Sequence, residues 1–576
     1  MTQIKTWYTD VLVVGGGGAA TAATIAAHEA GARTMLAVKG RFGVPGVRGA
    51  GATSNPVGDY WTIRTIGPKG GFFNPPEAIL SDMLQTGLGM ANQALCEIFV
   101  EEAPAAIARL REMGMKFQSR MLATMPANDD NKTNNIVAIQ KAIIEETQTQ
   151  VLEGANLTDL IVENGVCHGA VGVDDNGEPF VVRCGAVVLA TGGVGQMFQY
   201  SFNPPGNTGD GYAMAIRAGA ELTNMEYMQQ GIATTWPSQG IVMLYEMEDP
   251  YRLINRDGKA FLEDYLPDGV DMNEVCRQKS SHWPVSSRDD SIHLDRAIKA
   301  EGLKNEGLPA GVHAPVYLDM SRAERGFLPE LFPAFMLEKG IDISKDLLQV
   351  QNHHHTSNGG VCIDEHGQSN ITGLFAIGEA SAWQGADRLG GTMLGGSQVF
   401  GWRAGAKAAD VARQTGTETP LREATDAALQ PLHQARMRSG DNTVDQLHKE
   451  LQTHMWETLI VEKDEASLES ARQAIANITD RLENDTGITQ AMDHAGMAEM
   501  RNMLCVGKMI TEAASMRTES RGSHFRSDFP TRDDTNWLTN IVQTMNSEGL
   551  QLRKQWLSEA SGWVDQPNDV RITPWG

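Results

Sequence analysis

The feature that most limits how this chain can fold lies near its start, in the run "VLVVGGGGAATAATIAAHEAGA" that begins at Val11. Val11 to Val14 read as a short buried strand, glycines follow, and a small-residue helix ends near Gly31. Strand, glycine turn and helix in that order suit a dinucleotide, because glycine lets the backbone approach a pyrophosphate at a helix amino terminus. Gly15, Gly17 and Ala20 occupy the three fingerprint positions, alanine being the permitted third residue. A tight turn in an unrelated α/β domain is the other reading. The next strand, "RTMLAV", ends in Val38 and Lys39. The acidic residue that usually holds a ribose hydroxyl is therefore missing, Lys39 stands there as a candidate cofactor contact, and ribose recognition has to come from elsewhere.

Two later stretches supply candidates. "AVVLATGG" is a buried strand whose glycine exit carries Thr191 and Gly192, and "NTGDGYAMAIRAGAEL" places Asp210 at the start of an alanine-rich helix. Asp210 suits either a cap on that helix or a nucleotide hydroxyl. A third glycine-rich region, "GLFAIGEASAWQGADRLGGTMLGGSQVFGWRAGAKAA", reads as strand, acidic turn with Glu379, glycine loop and helix, with Leu394 within the loop-to-helix passage. Three cofactor segments spread this far along the chain imply an elongated ligand, which FAD fits better than NAD. The chain leaves the nucleotide fold and returns to it.

The length of 576 residues leaves room for several domains. At 41% hydrophobic and 21% charged residues, with no long apolar run free of charges, the chain reads as soluble and without a membrane span. The start lacks a basic region, a twin-arginine pair or a cleavage site, so the expected location is the cytoplasm. A net charge of -24 argues against nucleic acid as a partner. The six cysteines are scattered singly, without C-x-x-C, so the sequence offers no local signature for a cluster, zinc ribbon or covalent haem, and no metal is expected.

Taken together, "VVLATGG" through "TGDGYAMAIRAGAELTNMEYMQ", then "HHTSNGG", "GLFAIGE", "GADRLGG", "VFG" and "ESRGSHFRSDFPTRDDTNWL" resemble the flavoprotein subunit of succinate dehydrogenase and fumarate reductase, a family that also includes aspartate oxidase. The match runs in order over about residues 8 to 540. The resemblance implies an α/β fold: a Rossmann-like FAD-binding domain (1–235 and 351–415), an inserted α+β capping domain (236–350), and a C-terminal helical domain with tail (416–576). Membrane-bound relatives bond the flavin to a histidine near the first glycine segment. Here that region, "GRFGVPGVRGAGATSNP", has none, so the resemblance implies noncovalent FAD, with Gly49, Ala50 and Gly51 able to approach its ring by bare backbone.

The resemblance also implies chemistry: a hydride exchanged between flavin N5 and a C=C bond next to a carboxylate, with a protein group handling the proton. His355 lies four residues before Gly359, as in the family's H-x-x-x-G-G, and is the expected substrate-binding histidine. His353 and His354 read as structural, because adjacent residues on an extended chain point to opposite faces and do not converge on a metal. Arg388 in "GADRLGG" matches the arginine that clamps the carboxylate, a task a planar guanidinium suits. Arg288 in "VSSRDDS" stands where the family has its proton-donating arginine, although Asp289 and Asp290 also suit an ordinary ion pair.

Departures from the pattern bear on the substrate. Dicarboxylate members carry a histidine in Q-x-H-P-T-G and a Thr-Glu pair in the cap to hold the second carboxylate. Gly231 stands near the expected histidine, and Leu244 and Tyr245 near the pair, with Glu246 or Arg252 as alternatives. The expected substrate is thus a small saturated or unsaturated organic acid other than succinate or fumarate, its far end neutral. With no cluster motif in the chain, electrons are expected to pass to or from an iron-sulfur subunit. The alternatives are a stand-alone oxidase of the aspartate oxidase kind and an FAD-binding assembly subunit without catalytic activity.

Overall fold

In a computed structural model, residues 4–54, 76–120, 123–126, 135–242, 249, 252–321, 336–338, 340–417 and 421–556 are described. The apolar run Val11–Val14 is the middle strand of a five-stranded sheet in the order Leu374–Ala376, Ala186–Leu189, Val11–Val14, Thr34–Val38, Gln150–Glu153. Every neighbouring pair in it is parallel. Val11, Leu12 and Val13 are fully buried, which requires cover on both faces of the sheet, as parallel strands joined by helices obtain it. One cover is the helix Gly18–Glu29 packed against the long helix Thr392–Thr415. Their approach depends on small residues: a Cβ added at Gly405 would lie 2.3 Å from the Ala23 carbonyl oxygen.

A second sheet, in the order Lys5–Tyr8, Pro179–Arg183, Val166–Val173, Asn156–Glu163, flanks this body. The inserted part has its own sheet, Met228–Trp236, Leu347–Ser357, Val316–Asp319 and Leu253–Ile254, with all pairs antiparallel. This sheet spans both expected cap boundaries: its outer strand starts before residue 236, and its longest strand runs past 350 to Ser357. Its apolar core joins Ile232, Val316 and Val350 to Val275, Leu294 and Ile298 on the helices Met272–Ser281 and Ile292–Gly302. Between those helices Lys279 meets Asp295 Oδ2 at 2.6 Å in a fully buried ion pair, while Asp295 Oδ1 has no hydrogen-bond partner.

The helices Val444–Leu459, Glu465–Asn484 and Met492–Met516 do not form a separate core. Their Leu451, Ile478 and Met503 belong to the same apolar cluster as Leu12 and Val187 of the parallel sheet. After them the chain turns back as a hairpin, Thr539–Asn546 with Gly549–Trp556, which joins Leu222–Thr223 and Gly360–Val361 in one sheet. The helix-period pattern of this region gives no sign of the hairpin. Among the described residues, no helix is long and apolar enough to cross a membrane.

Candidate functional site

The glycine turn is built as its spacing requires. Gly15 has φ 124°, and a Cβ there would fall 2.3 Å from the carbonyl oxygen of Ala190 at the exit of the neighbouring strand. Gly17 is the N-cap of the helix and offers no side-chain cap, while Ala20 is buried inside it. The segment Gly49–Gly51 lies directly on this turn: a Cβ at Gly51 (φ 73°) would meet the Gly17 Cα at 2.6 Å. Ala50 is fully buried, and the Thr53 hydroxyl accepts the Gly18 N–H at 3.1 Å.

Lys39 and Asp210 are joined, although 171 residues separate them. The Lys39 Nζ donates to Asp210 Oδ2 at 2.6 Å, to the Thr208 hydroxyl at 2.6 Å and to Glu499 Oε1 at 2.9 Å. Asp210 does not cap its helix, whose N-cap is Gly209; its other oxygen accepts from Thr208 and Asn502. Burial works against both charges, yet each outweighs it for the other: the Lys39 pKa stays above, and that of Asp210 below, its ordinary value. Thr191 and Gly192 form the exit of the strand Ala186–Leu189, and the buried Thr191 hydroxyl has no hydrogen-bond partner. Glu379 accepts the Ser357 N–H at 2.9 Å, and a Cβ at Gly193 would land 2.1 Å from its carboxylate; burial raises its pKa. Leu394 packs on the cluster of Ile107, Leu110 and Ile136, and Ile136 in turn borders Gly18 at the start of the helix. A helix start without a side chain at its N-cap, closely packed glycine backbone and an unpartnered buried hydroxyl are features that FAD fits.

The catalytic candidates lie where the cap sheet meets the returning chain. In the strand pair Met228–Trp236 and Leu347–Ser357, Gln229 pairs with Thr356 and Gln230 with His354. His355 is therefore the extra residue of a β-bulge, a device that re-aims a side chain out of strict alternation. Its Nδ1 lies 3.2 Å from Gln229 Oε1, and Arg388 Nη2 donates to the same oxygen at 2.8 Å. Gln229 returns its own Nε2–H to the Arg388 carbonyl at 3.0 Å. The same Nδ1 also lies 3.4 Å from Arg388 Nη2, so this ring nitrogen faces both the amide oxygen and the guanidinium. Burial first, then the Arg388 charge, holds the His355 pKa well below its ordinary value.

Arg388 is 6% exposed, its Nε has no partner, and burial pulls its pKa down to about 10. The other two histidines go elsewhere. His353 Nδ1 meets the Gln351 carbonyl at 2.9 Å, and His354 stacks on Phe198 with a centroid distance of 4.8 Å. Burial pushes their pKa values to about 4 and about 3.

Arg288 is placed by its neighbours. Val285 donates its N–H to the Gln230 carbonyl, Ser287 to the Gly522 carbonyl, and the Ser286 hydroxyl to Asp387 Oδ2 at 2.6 Å. The segment that carries Arg288 is thus tied both to the strand of Gln229 and to the residue preceding Arg388. Asp387, with its pKa raised to about 6 by burial, feels the Arg288 charge. Asp289 approaches the Arg288 Nε only to 4.0 Å and makes its short bonds to His282 and Ser291.

The sequence reading missed Gln229, although the Q of Q-x-H-P-T-G stands two residues before the position of Gly231, and it missed Ser286. Leu244, Tyr245 and Glu246 lie outside the described residues.

Known proteins give this geometry a context. The FAD binding domain family model matches residues 10–394, and the fumarate reductase flavoprotein C-terminal model matches 448–573. An uncharacterized FAD-dependent oxidoreductase of Methanocaldococcus jannaschii is 30% identical over 96% of this chain and 98% of its own. A chain of the fumarate reductase (CoM/CoB) of Methanothermobacter marburgensis is 29% identical, over 94% of this chain and 97% of its own. L-aspartate oxidase of Streptomyces coelicolor is 27% identical over 94% and 92% of the two chains. Among solved structures, Sdh1 of Mycobacterium smegmatis superposes with a TM-score of 0.79 at 27% identity, covering 96% of this chain and 94% of that one. With both family models matched in order and a relative aligned from end to end, the chain belongs to the fumarate reductase and succinate dehydrogenase flavoprotein family and is an FAD-dependent oxidoreductase.

Proposed function

We propose that this enzyme interconverts a C=C bond and a CH–CH bond next to the carboxylate of an organic acid other than succinate or fumarate, and that its electron partner is a separate iron-sulfur subunit. The observation that carries the reading is the buried guanidinium of Arg388, which donates to the neutral amide of Gln229 rather than to a carboxylate. Glu379 offsets this charge only from a distance, without a hydrogen bond, so a buried guanidinium with a free Nε is left for an anionic substrate to satisfy.

When bound, FAD supplies the two-electron centre that exchanges a hydride with one carbon of the double bond. Gly15, Gly17, Ala20, Lys39, Gly49, Ala50, Gly51, Thr191, Gly192, Asp210, Glu379 and Leu394 are the residues proposed to hold or border it. With no histidine at Gly40–Ser54, the attachment is noncovalent. Arg388 and His355, fixed in common by Gln229, hold the substrate carboxylate and stabilise the negative charge that gathers on it during reduction. Arg288 gives the proton to the neighbouring carbon. What supports this role is that its segment hangs on both the Gln229 strand and Asp387. At the position of the second-carboxylate histidine stands Gly231, which has no side chain to offer an anion.

The test is a screen of unsaturated acids against the dithionite-reduced holoprotein, following the return of flavin absorbance. Reoxidation by monocarboxylates ahead of fumarate supports the reading; a flavin that no acid reoxidises overturns it. Similarity to an L-aspartate oxidase favours a second reading, a stand-alone oxidase. Stoichiometric hydrogen peroxide from an amino or organic acid in air would select it.

A further inference from the structure

We propose that the indole of Trp283, seated over Gly231 and edge-on to His355, is a specificity wall that selects acids carrying a flat apolar group, such as an aryl ring, beyond the double bond. The inference rests on the functional reading above and narrows its substrate class.

Gly231 sits on the strand Met228–Trp236 opposite His353. A Cβ built on it would lie 2.3 Å from both Cε2 and Cζ2 of Trp283, so any side chain at 231 excludes the indole from its place. The missing side chain and the tryptophan are therefore one arrangement: the space a polar residue would occupy is filled by an aromatic ring.

The ring is held, not loose. Its Nε1–H donates to the Ile232 carbonyl at 3.0 Å, and the following residue, Pro284, bridges back to Gly231. Its polar atom is thereby spent on the backbone, and what remains for a ligand is apolar. Trp283 meets the His355 ring at 4.9 Å and 81°, and Phe202 meets Trp283 at 5.2 Å and His355 at 5.6 Å, also edge to face. The histidine that takes one end of the acid is thus lined by two aromatic rings, and Trp283 itself is only half-buried. A second carboxylate brought against these rings would lose its hydration without gaining a donor from either ring, whereas a planar apolar group meets matching surface. The same short segment carries Ser286 and Arg288, so the ring and the proton donor are positioned together.

The experiment uses the FAD-loaded protein, reduced with dithionite and mixed with cinnamate, crotonate or fumarate, while flavin absorbance reports reoxidation. The expected order of kcat/KM is cinnamate, crotonate, fumarate, with at least about a tenfold step between first and last. In Trp283→Ala the preference for cinnamate over crotonate falls by about tenfold or more, chiefly through KM, while Trp283→Phe retains most of it. Gly231→Ala, which must displace the indole, reproduces the loss at unchanged flavin content. Reoxidation faster with crotonate than with cinnamate, or a cinnamate-to-crotonate ratio that Trp283→Ala leaves unmoved, overturns this proposal and leaves the functional reading standing; reoxidation fastest with fumarate overturns both. Failure of all three acids to reoxidise the flavin overturns both.

Discussion

The side chain of Gln229 is held at both ends by Arg388: it accepts from the guanidinium at 2.8 Å and donates to the main-chain carbonyl of the same residue at 3.0 Å. This fixes which way the amide points and leaves its oxygen shared with His355. Gln229→Glu would set a carboxylate against Arg388 and satisfy the cation internally. We expect flavin content to be retained and KM for the acid substrate to rise more than tenfold, measured by steady-state kinetics. An unchanged KM would remove Arg388 from carboxylate binding.

Arg388→Lys keeps the charge but loses the fork that reaches Gln229 and a ligand at once. Truncating one partner of a buried, hydrogen-bonded charge pair typically costs about 2–5 kcal/mol, and kcat/KM for the acid is expected to fall correspondingly. Stopped-flow reoxidation of the reduced variant by substrate measures it.

His355 turns its Nδ1 to Gln229 and Arg388, and its pKa is held well below 6.5 by burial and by the Arg388 charge. An anion at the other nitrogen favours the charged form and raises that pKa. Between the free and bound values, binding takes up a proton, so affinity weakens as pH rises through that window, by up to about tenfold per unit. Calorimetry of pivalate binding, a carboxylate with no hydrogen to abstract, in buffers of different ionisation enthalpy should show the uptake. His355→Gln should abolish it.

Gly51 has φ 73°, and its missing Cβ leaves room for Gly17, so Gly51→Ala strains the backbone and pushes apart the two segments proposed to receive the flavin. The variant is expected to fold but to purify colourless. In the unsubstituted protein, acid precipitation should leave the yellow colour in the supernatant; colour retained in the pellet would contradict noncovalent binding.

His354 is fully buried and neither of its ring nitrogens has a partner. Its folded pKa is about 3, below the ordinary 6.5, so its contribution to stability is complete above about pH 6.5 and shrinks as pH falls, when the unfolded chain binds a proton the folded one refuses. His354→Phe keeps the stack on Phe198 and removes two unsatisfied polar atoms, a gain of about 1–3 kcal/mol. Thermal melts at pH 7 and pH 5 should show a higher Tm and a smaller loss between the two.

Local pattern made the glycine turn, the three cofactor segments and the spacing of His355 and Arg388 legible in the sequence, because each is a short motif with its own backbone demands. What stayed hidden depends on pairings across distance. That His355 is a bulge residue follows from the register of two strands over a hundred positions apart, and neither strand announces it alone. Lys39 looked like a missing acid; its partner Asp210 restores a carboxylate to that corner from another segment. Gly231 read as a lost ligand, and only the packing shows Trp283 in its place.

Glu499 reaches back over 460 positions to Lys39 and at 2.7 Å to Arg48. During synthesis Asp210 is made early enough to answer Lys39 beyond the strand Thr34–Val38, whereas the carboxylate that meets Arg48 comes only with the helix Met492–Met516. A chain cut short before that helix would lack the acid that joins Lys39 to Arg48.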